Sequence, residues 1–322
     1  MRQCYPDLIV LISFPKHKKQ SLCALLLSLS FTCTLPLTFA GPQPANRKWI
    51  VQWEPVRVIN GSPIFFQVTP PVRLESLTGQ WLEHHVFFAF DPATKTWFGI
   101  AGASLETQPG KYLLALSGKT VDGREVPFTR EIVVGKGKYR RISVKVAKRF
   151  TEPSAEQLVQ IKEDQALKKD VLSHMDPKRE WEGGFTSPVS AVVSDVFGTA
   201  RIFNGETQSM HQGVDYAVPS GTAVKAINTG TVLLARPLFF EGNFVVLDHG
   251  QGLLSLYMHL SRLEVKEGEQ VSRGQEIALS GGTGRATGPH LHIAVRWQGI
   301  YVNPATLLGL KLPDAVNEPL QR

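Results

Sequence analysis

The chain has 322 residues, 43 % of them apolar and 20 % charged. That balance suits about two globular domains and excludes a disordered, collagen-like or polytopic membrane chain. The formal charge of +7 falls to +4 after residue 40, 31 basic against 27 acidic residues, which is short of the clustered charge of a nucleic-acid binder, so no nucleic-acid partner is expected.

Residues 1–40 read as a targeting segment. A basic stretch at Lys16–Lys19 precedes an apolar run from Leu22 to Leu37, and Thr38-Phe39-Ala40 offers a small residue at a cleavage position. Cleavage after Ala40 is the expectation, with an uncleaved anchor as the alternative, and either sends the chain to the periplasm, the cell envelope or the exterior. Cys4, Cys23 and Cys33 all lie in this segment, so the processed chain has no thiol chemistry and no disulfide.

Residues 45–150 carry short β-rich runs, Ile64–Val68, Val86–Phe90 and Tyr112–Leu116, with a hairpin signal at Asp122-Gly123. An antiparallel β-sandwich is predicted there. Ile142, Val144 and Val146 alternate with polar residues as in a half-buried strand, the surrounding Lys and Arg from Lys138 to Arg149 forming its solvated face. His84 and His85 adjoin an apolar strand and are read as structural. Ser154-Ala155-Glu156-Gln157 is a capping box opening a helix through about Leu172, the core of a linker spanning 151–184. Short strands and glycine turns return over 185–310, a second β domain, and 311–322 is a tail.

The chemistry concentrates in that second domain: His211-Gln-Gly-Val-Asp215, His259, and His290-Leu-His292. In an extended strand His290, His292, Ala294 and Arg296 share one face while Leu291, Ile293, Val295 and Trp297 share the other, so burial of the apolar face fixes the register. His211 and Asp215 share a face if their segment is extended, with Gly213 between them leaving room for a metal; alternatively His211 leads into the strand from a loop. Two histidines and a carboxylate form a ligand set that holds Zn²⁺ with a fourth position open for water, as in catalytic sites. No HExxH motif occurs, so histidine is the expected acid/base partner. Asp248-His249-Gly250 reads as turn chemistry, and the glycine-rich 280–288 segment as a cleft-shaping loop.

The HxGxD at His211, Tyr257-Met-His259 and Gly288-Pro-His290-Leu-His292 resemble the M23 family of zinc metallopeptidases, of the lysostaphin and LytM type. Phe197-Gly198 with Arg201, Val271–Gly274, Gly284-Arg285 and Asn303-Pro304 support the likeness over about residues 185–310, and the region before it resembles the immunoglobulin-like domain of some envelope members. The resemblance implies a mainly β protein with an Ig-like sandwich, a connecting helix and an antiparallel β domain whose groove holds zinc. It carries His211, Asp215 and His292 over as metal ligands and His259 and His290 as catalytic residues. It implies hydrolysis of peptide cross-links or bridges of bacterial peptidoglycan by a zinc-bound water. A regulatory envelope protein is a further expected partner, and the alternative is a non-catalytic activator of cell-wall amidases or a peptidoglycan-binding module.

Overall fold

A computed structural model describes residues 48–150, 152–203, 205 and 207–313. The leader expected over 1–40 and the tail from 314 onward lie outside the described residues. The protein is mainly β. Its N-terminal part contains β1 (Ile50–Glu54), β2 (Pro63–Thr69), β3 (Leu74–Trp81), β4 (His84–Phe87), β5 (Ala89–Asp91), β6 (Thr96–Gly102), β7 (Gly110–Thr120) and β8 (Glu125–Val134). They sort into two four-stranded antiparallel sheets, β1-β2-β6-β5 and β4-β3-β7-β8. The run Val86–Phe90, predicted as one strand, is divided: β4 pairs with β3 and β5 pairs with β6, so the chain changes sheets at Phe88. The Asp122-Gly123 turn closes the β7–β8 hairpin, with Gly123 in the left-handed region at φ +84°.

Strands β2 and β6 are buried nearly throughout, which an alternating strand facing water would not be. The reason is a second apolar neighbour. Phe98 on β6 meets the Trp181 ring edge-on at 5.9 Å, and a Cβ on Gly102 would stand 2.7 Å from Val302 and 3.2 Å from Trp297. The outer face of this sheet therefore packs against the C-terminal half, and the described residues fall within one structural unit. His84 lies against Trp297 at the same junction, a packing role.

Next come β9 (Arg141–Val144) and α1 (Ala155–Val171), whose Ser154 capping box forms as the sequence predicts. Strands β10 (Val193–Asp195), β11 (Ala200–Phe203), β12 (Thr207–Met210) and β13 (Gly213–Tyr216) follow. Then come β14 (Ala223–Lys225), β15 (Gly230–Leu238), β16 (Gly242–Asp248), β17 (Leu253–Leu260), β18 (Arg262–Leu263), β19 (Gln270–Val271), β20 (Glu276–Leu279), β21 (Leu291–Trp297) and β22 (Ile300–Val302). The main sheet runs β10-β13-β21-β17-β16-β15-β19, with β22 beside β21. A short helix, α2 (Pro304–Leu308), is capped by Asn303 with Pro304 in its first turn.

One face of this sheet joins the large core through Tyr257, Ile293, Val295 and Trp297. The other holds Leu254, Leu256 and Ala294, against which Leu167, Val171 and Leu172 at the end of α1 are packed. Strand β9 lies outside this sheet and pairs in parallel with β11, which brings the chain before the helix alongside the chain after it. Arg141, Lys145, Lys148 and Arg149 are exposed, as expected for its solvated face. Arg140 departs from that reading, because its guanidinium is paired with Asp195.

Candidate metal centre

Strands β13, β21 and β17 are neighbours, and Asp215 stands directly opposite His292 in their register. Residues opposite each other in an antiparallel pair point to the same face, so backbone pairing alone brings the carboxylate onto the imidazole. The apolar alternation behaves as predicted: Leu291, Ile293, Val295 and Trp297 fill the core while His292 and Ala294 take the other face. The strand begins at Leu291, and His290 just before it is fixed instead by a bridge in which its N–H donates to the Gly281 carbonyl at 2.9 Å.

His211 enters from the loop between β12 and β13, the second of the two conformations its sequence allowed. Its N–H donates to Thr199 O at 2.8 Å, and its own carbonyl accepts from Gly198 N at 2.7 Å. Gly198 has φ +82°, and a Cβ there would lie 2.0 Å from the Tyr139 ring, so only glycine lets this turn close beneath the His211 loop. The spacing reading gave Gly213 to the metal. It serves the ring of His292 instead, since a Cβ at 213 would stand 2.5 Å from His292 Nε2.

His211 Nε2, Asp215 Oδ1 and His292 Nδ1 form a triangle with sides of 3.1, 3.0 and 2.7 Å, and all three residues are buried. His211 Nδ1 lies 2.9 Å from Val196 O, which can only accept, so Nδ1 carries the proton and Nε2 presents a lone pair to the triangle. Lone pairs converging in a buried space repel unless a proton or a cation lies between them. Metal–ligand bonds of about 2.0–2.1 Å at tetrahedral angles separate donor atoms by about 3.3 Å, so lengthening the sides by about 0.2 to 0.6 Å fits the triangle to Zn²⁺. The donor set and its geometry suit that ion.

Charge around the triangle is organised by Asp195, which neither spacing nor motif singled out. Its carboxylate accepts from Arg201 Nη2 at 2.6 Å and Thr199 Oγ1 at 2.9 Å, is paired with Arg140, and stands 3.3 Å from His211 Nδ1. Burial raises the Asp195 pKa, but these hydrogen bonds and His211 outweigh it and the net shift is downward. Arg201 also binds Asp215 Oδ2, leaving Oδ1 as the oxygen in the triangle. For Asp215 too, burial pulls upward while His211 and His292 hold the carboxyl well below the usual range. Burial pushes His292 down to about 4 against the pull of Asp215, so it is neutral near pH 7, the state in which an imidazole can bind a metal ion. The signal that could have exposed Asp195 is a carboxylate and a guanidinium six residues apart, close to the HxGxD, but that spacing is too common to decide anything.

His259 arrives by a backbone irregularity. Tyr257 pairs with Ile293 and Met258 with His292, so strict alternation would place His259 on the core face with Tyr257. The β16–β17 register instead shifts between Tyr257 and Leu260, with two residues opposite Phe244, and His259 takes φ +62°. This bulge turns the imidazole to the His292 side. The rings of His259 and His290 have centroids 4.8 Å apart, and His259 and His292 are 6.1 Å apart. His259 Nδ1 donates to Thr283 O at 2.9 Å and His290 Nδ1 to Gly288 O at 2.8 Å, so each offers Nε2 as its basic atom. His290 Nε2 is 3.9 Å from Asp215 Oδ1. Burial, then the nearby His292 and His290, push His259 down to about 3. The five expected site residues are thus gathered at one place, whereas His249 is fully buried elsewhere, bonded to Thr229 O at 2.7 Å and Ser255 Oγ at 2.8 Å.

A groove passes over the triangle in two sections. One includes Lys168, Glu241, Met258, His211 and His292; the other includes Ile142, Val144, Val146, Asp215, Pro289 and His290; Arg201, His259 and Arg285 line both. The β9 segment and the end of α1 therefore form parts of its walls.

Residues 209–304 match the sequence profile of peptidase family M23. Peptidoglycan DD-endopeptidase ShyA of Vibrio cholerae is 43 % identical over 109 residues, 34 % of this chain and 25 % of that protein. An uncharacterized metalloprotease of Buchnera aphidicola is 39 % identical over 117 residues, 36 % of this chain and 31 % of its own length. A crystal structure assigned to peptidase M23 from Pseudomonas aeruginosa aligns with a TM-score of 0.61 at 28 % identity, over 79 % of this chain and 96 % of that one. The chain thus spans between a quarter and a third of the length of these curated relatives.

Proposed function

Residues 209–304 are a peptidase family M23 domain, and from that premise we propose that the protein is a zinc-dependent endopeptidase that hydrolyses peptide cross-links of bacterial peptidoglycan. The observation that carries this reading is the buried His211–Asp215–His292 triangle with two further imidazoles at its mouth. The two names under which relatives are known, a peptidoglycan DD-endopeptidase and a metalloprotease, point to the same chemistry and to a bond between two D-centres. Residues 16–40 support a cell-envelope location, where that substrate lies.

In this mechanism His211, Asp215 and His292 would hold the ion. Zinc, when bound, supplies Lewis-acid polarisation of the scissile carbonyl and makes a water ligand acidic enough to ionise near neutral pH. His290 Nε2, close to Asp215 Oδ1, takes the proton of the attacking water, and its Nδ1–H bond to Gly288 fixes the tautomer that this requires. His259 faces it across the groove and hydrogen-bonds the developing oxyanion or passes a proton to the leaving amine, and exchange of the two roles leaves the reaction unchanged. Arg201 and Asp195 orient Asp215 and His211 from behind.

Purified protein assayed by zinc content and by mass spectrometry of products from defined muropeptides tests this. His211→Ala, Asp215→Ala and His292→Ala are expected to lose zinc and turnover together. His259→Ala and His290→Ala are expected to keep zinc and lose about 10²- to 10⁴-fold in rate. Folded wild-type protein that binds no divalent metal tightly refutes the proposal.

A further inference from the structure

Strand β9 presents an apolar row that no core accounts for. Ile142 and Val144 are half-buried between the exposed Arg141, Ser143 and Lys145, the alternation of a strand with one covered face. On β21 such a face fills the core, yet among the described residues neither core takes in Ile142 or Val144. The register shows what they face instead. Ile142 stands beside Arg201 in the parallel β9–β11 pair, and Arg201 reaches from there to Asp215, so the covered face of β9 looks onto the metal centre. Both aliphatic side chains line the groove section that holds His290, together with Ala217, Ala286 and Pro289, around a cavity of about 350 Å³. The other section differs in kind, with the Lys168–Glu241 ion pair, Ser209 and Gln212 on its walls.

An apolar row beside the reacting position prescribes an aliphatic group on what it meets. His290 borders this section alone and His259 borders both, so whichever histidine protonates the leaving amine is at hand here, which favours this section for the amine half of the cross-link. The apolar part of a diamino acid is the methylene chain that starts at the carbon bearing the acylated amine. Positions 142 and 144 are about 6.6 Å apart along the strand, so a methyl group touches one of the two side chains and a chain of several methylenes touches both.

We propose that Ile142 and Val144 are specificity-determining residues that receive the aliphatic chain on the carbon bearing the leaving amine, an inference that rests on the peptidase reading above. The probes are two acylated peptides ending in D-alanyl-D-alanine and D-alanyl-D-norleucine, which differ by three methylenes on the amine side. Zinc-loaded wild-type protein is expected to hydrolyse the norleucine peptide roughly 10- to 60-fold more efficiently, about fourfold for each methylene that leaves water. The double variant Ile142→Thr with Val144→Thr keeps β-branched side chains on the strand. It is expected to cut the preference below about fivefold, with less than about threefold change on the D-alanine peptide and zinc content unchanged. Each single variant is expected to lie between it and wild type, and Lys145→Thr, on the outward face, to keep the full preference. Equilibrium binding of both peptides to metal-stripped protein supplies a second readout and is expected to show the same order. Equal losses on both peptides in the double variant, a preference that survives it, or equal rates and equal binding in wild type overturn the inference, and hydrolysis in any of these cases leaves the peptidase intact. Hydrolysis of neither peptide, with a binding preference for norleucine that the double variant abolishes, removes the proposed reaction and sustains the apolar subsite.

Discussion

Gly213→Ala tests how tightly the metal centre is fitted. The added Cβ would stand 2.5 Å from His292 Nε2, 2.6 Å from its Cε1 and 2.3 Å from the Ile293 carbonyl oxygen, where ordinary contact begins at 3.4 Å. Pairing of Gly213 with Ala294 holds the two backbones together, so the His292 ring must retreat by about 0.9 Å unless the β13–β21 ladder opens. Metal–ligand distances tolerate about 0.2 Å, several times less than this displacement. Zinc affinity is therefore expected to fall at least about 100-fold, near 2.7 kcal/mol, and the metal-free fold to lose about 1–3 kcal/mol from overpacking. Competition against a chromophoric chelator measures the first, and urea denaturation with and without zinc measures the second. Gly184→Ala, where a Cβ meets none of the described residues within 4 Å, serves as the control and is expected to leave both unchanged. A Gly213→Ala protein that binds zinc within threefold of wild type, at unaltered stability, refutes the reasoning.

Two further outcomes follow from the backbone and from burial. Because His259 has φ +62°, His259→Gly is expected to be more stable than His259→Ala by about 1 kcal/mol although both lose turnover; denaturation of the two variants decides it, and an alanine variant as stable as the glycine one removes the strain argument. His249 is fully buried, and burial pushes it down to about 4 from 6.5 despite its bond to the Thr229 carbonyl. The unfolded chain therefore binds a proton that the native state refuses as pH falls from 6.5 towards 4, and the stability present above 6.5 is lost across that window. His249→Gln is expected to lose less over this range than wild type, by on the order of 3 kcal/mol, in denaturation curves taken at each pH.

The elements that a sequence displays are those set by local chemistry. The Ser154 box, the Gly123 turn and the Leu291–Trp297 alternation each depend on residues a few positions apart, and each forms as read. What escaped depends on neighbours distant in the chain. The run Ile64–Val68 reads as a sandwich strand, and the second apolar surface against its sheet comes from Trp181, Trp297 and Val302. Asp195 acquires its importance from Arg140, Arg201 and His211. For His259 the motif and strand periodicity point to opposite faces, and the bulge opposite Phe244 brings the ring beside those of His290 and His292.

The pairing of β9 with β11 separates kinship from cooperativity. The stretch that matches the family begins at residue 209, inside β12, and so leaves out β9, β10 and β11. Yet β10 carries Asp195 behind the ligands, β11 carries Arg201, and β9 covers what would otherwise be a bare strand edge with unpaired amide and carbonyl groups. The stretch that the family profile covers is thus smaller than the piece that packs around the site, and a graft of the motif-bearing segment into another scaffold would arrive with its electrostatic backing and one seam left behind.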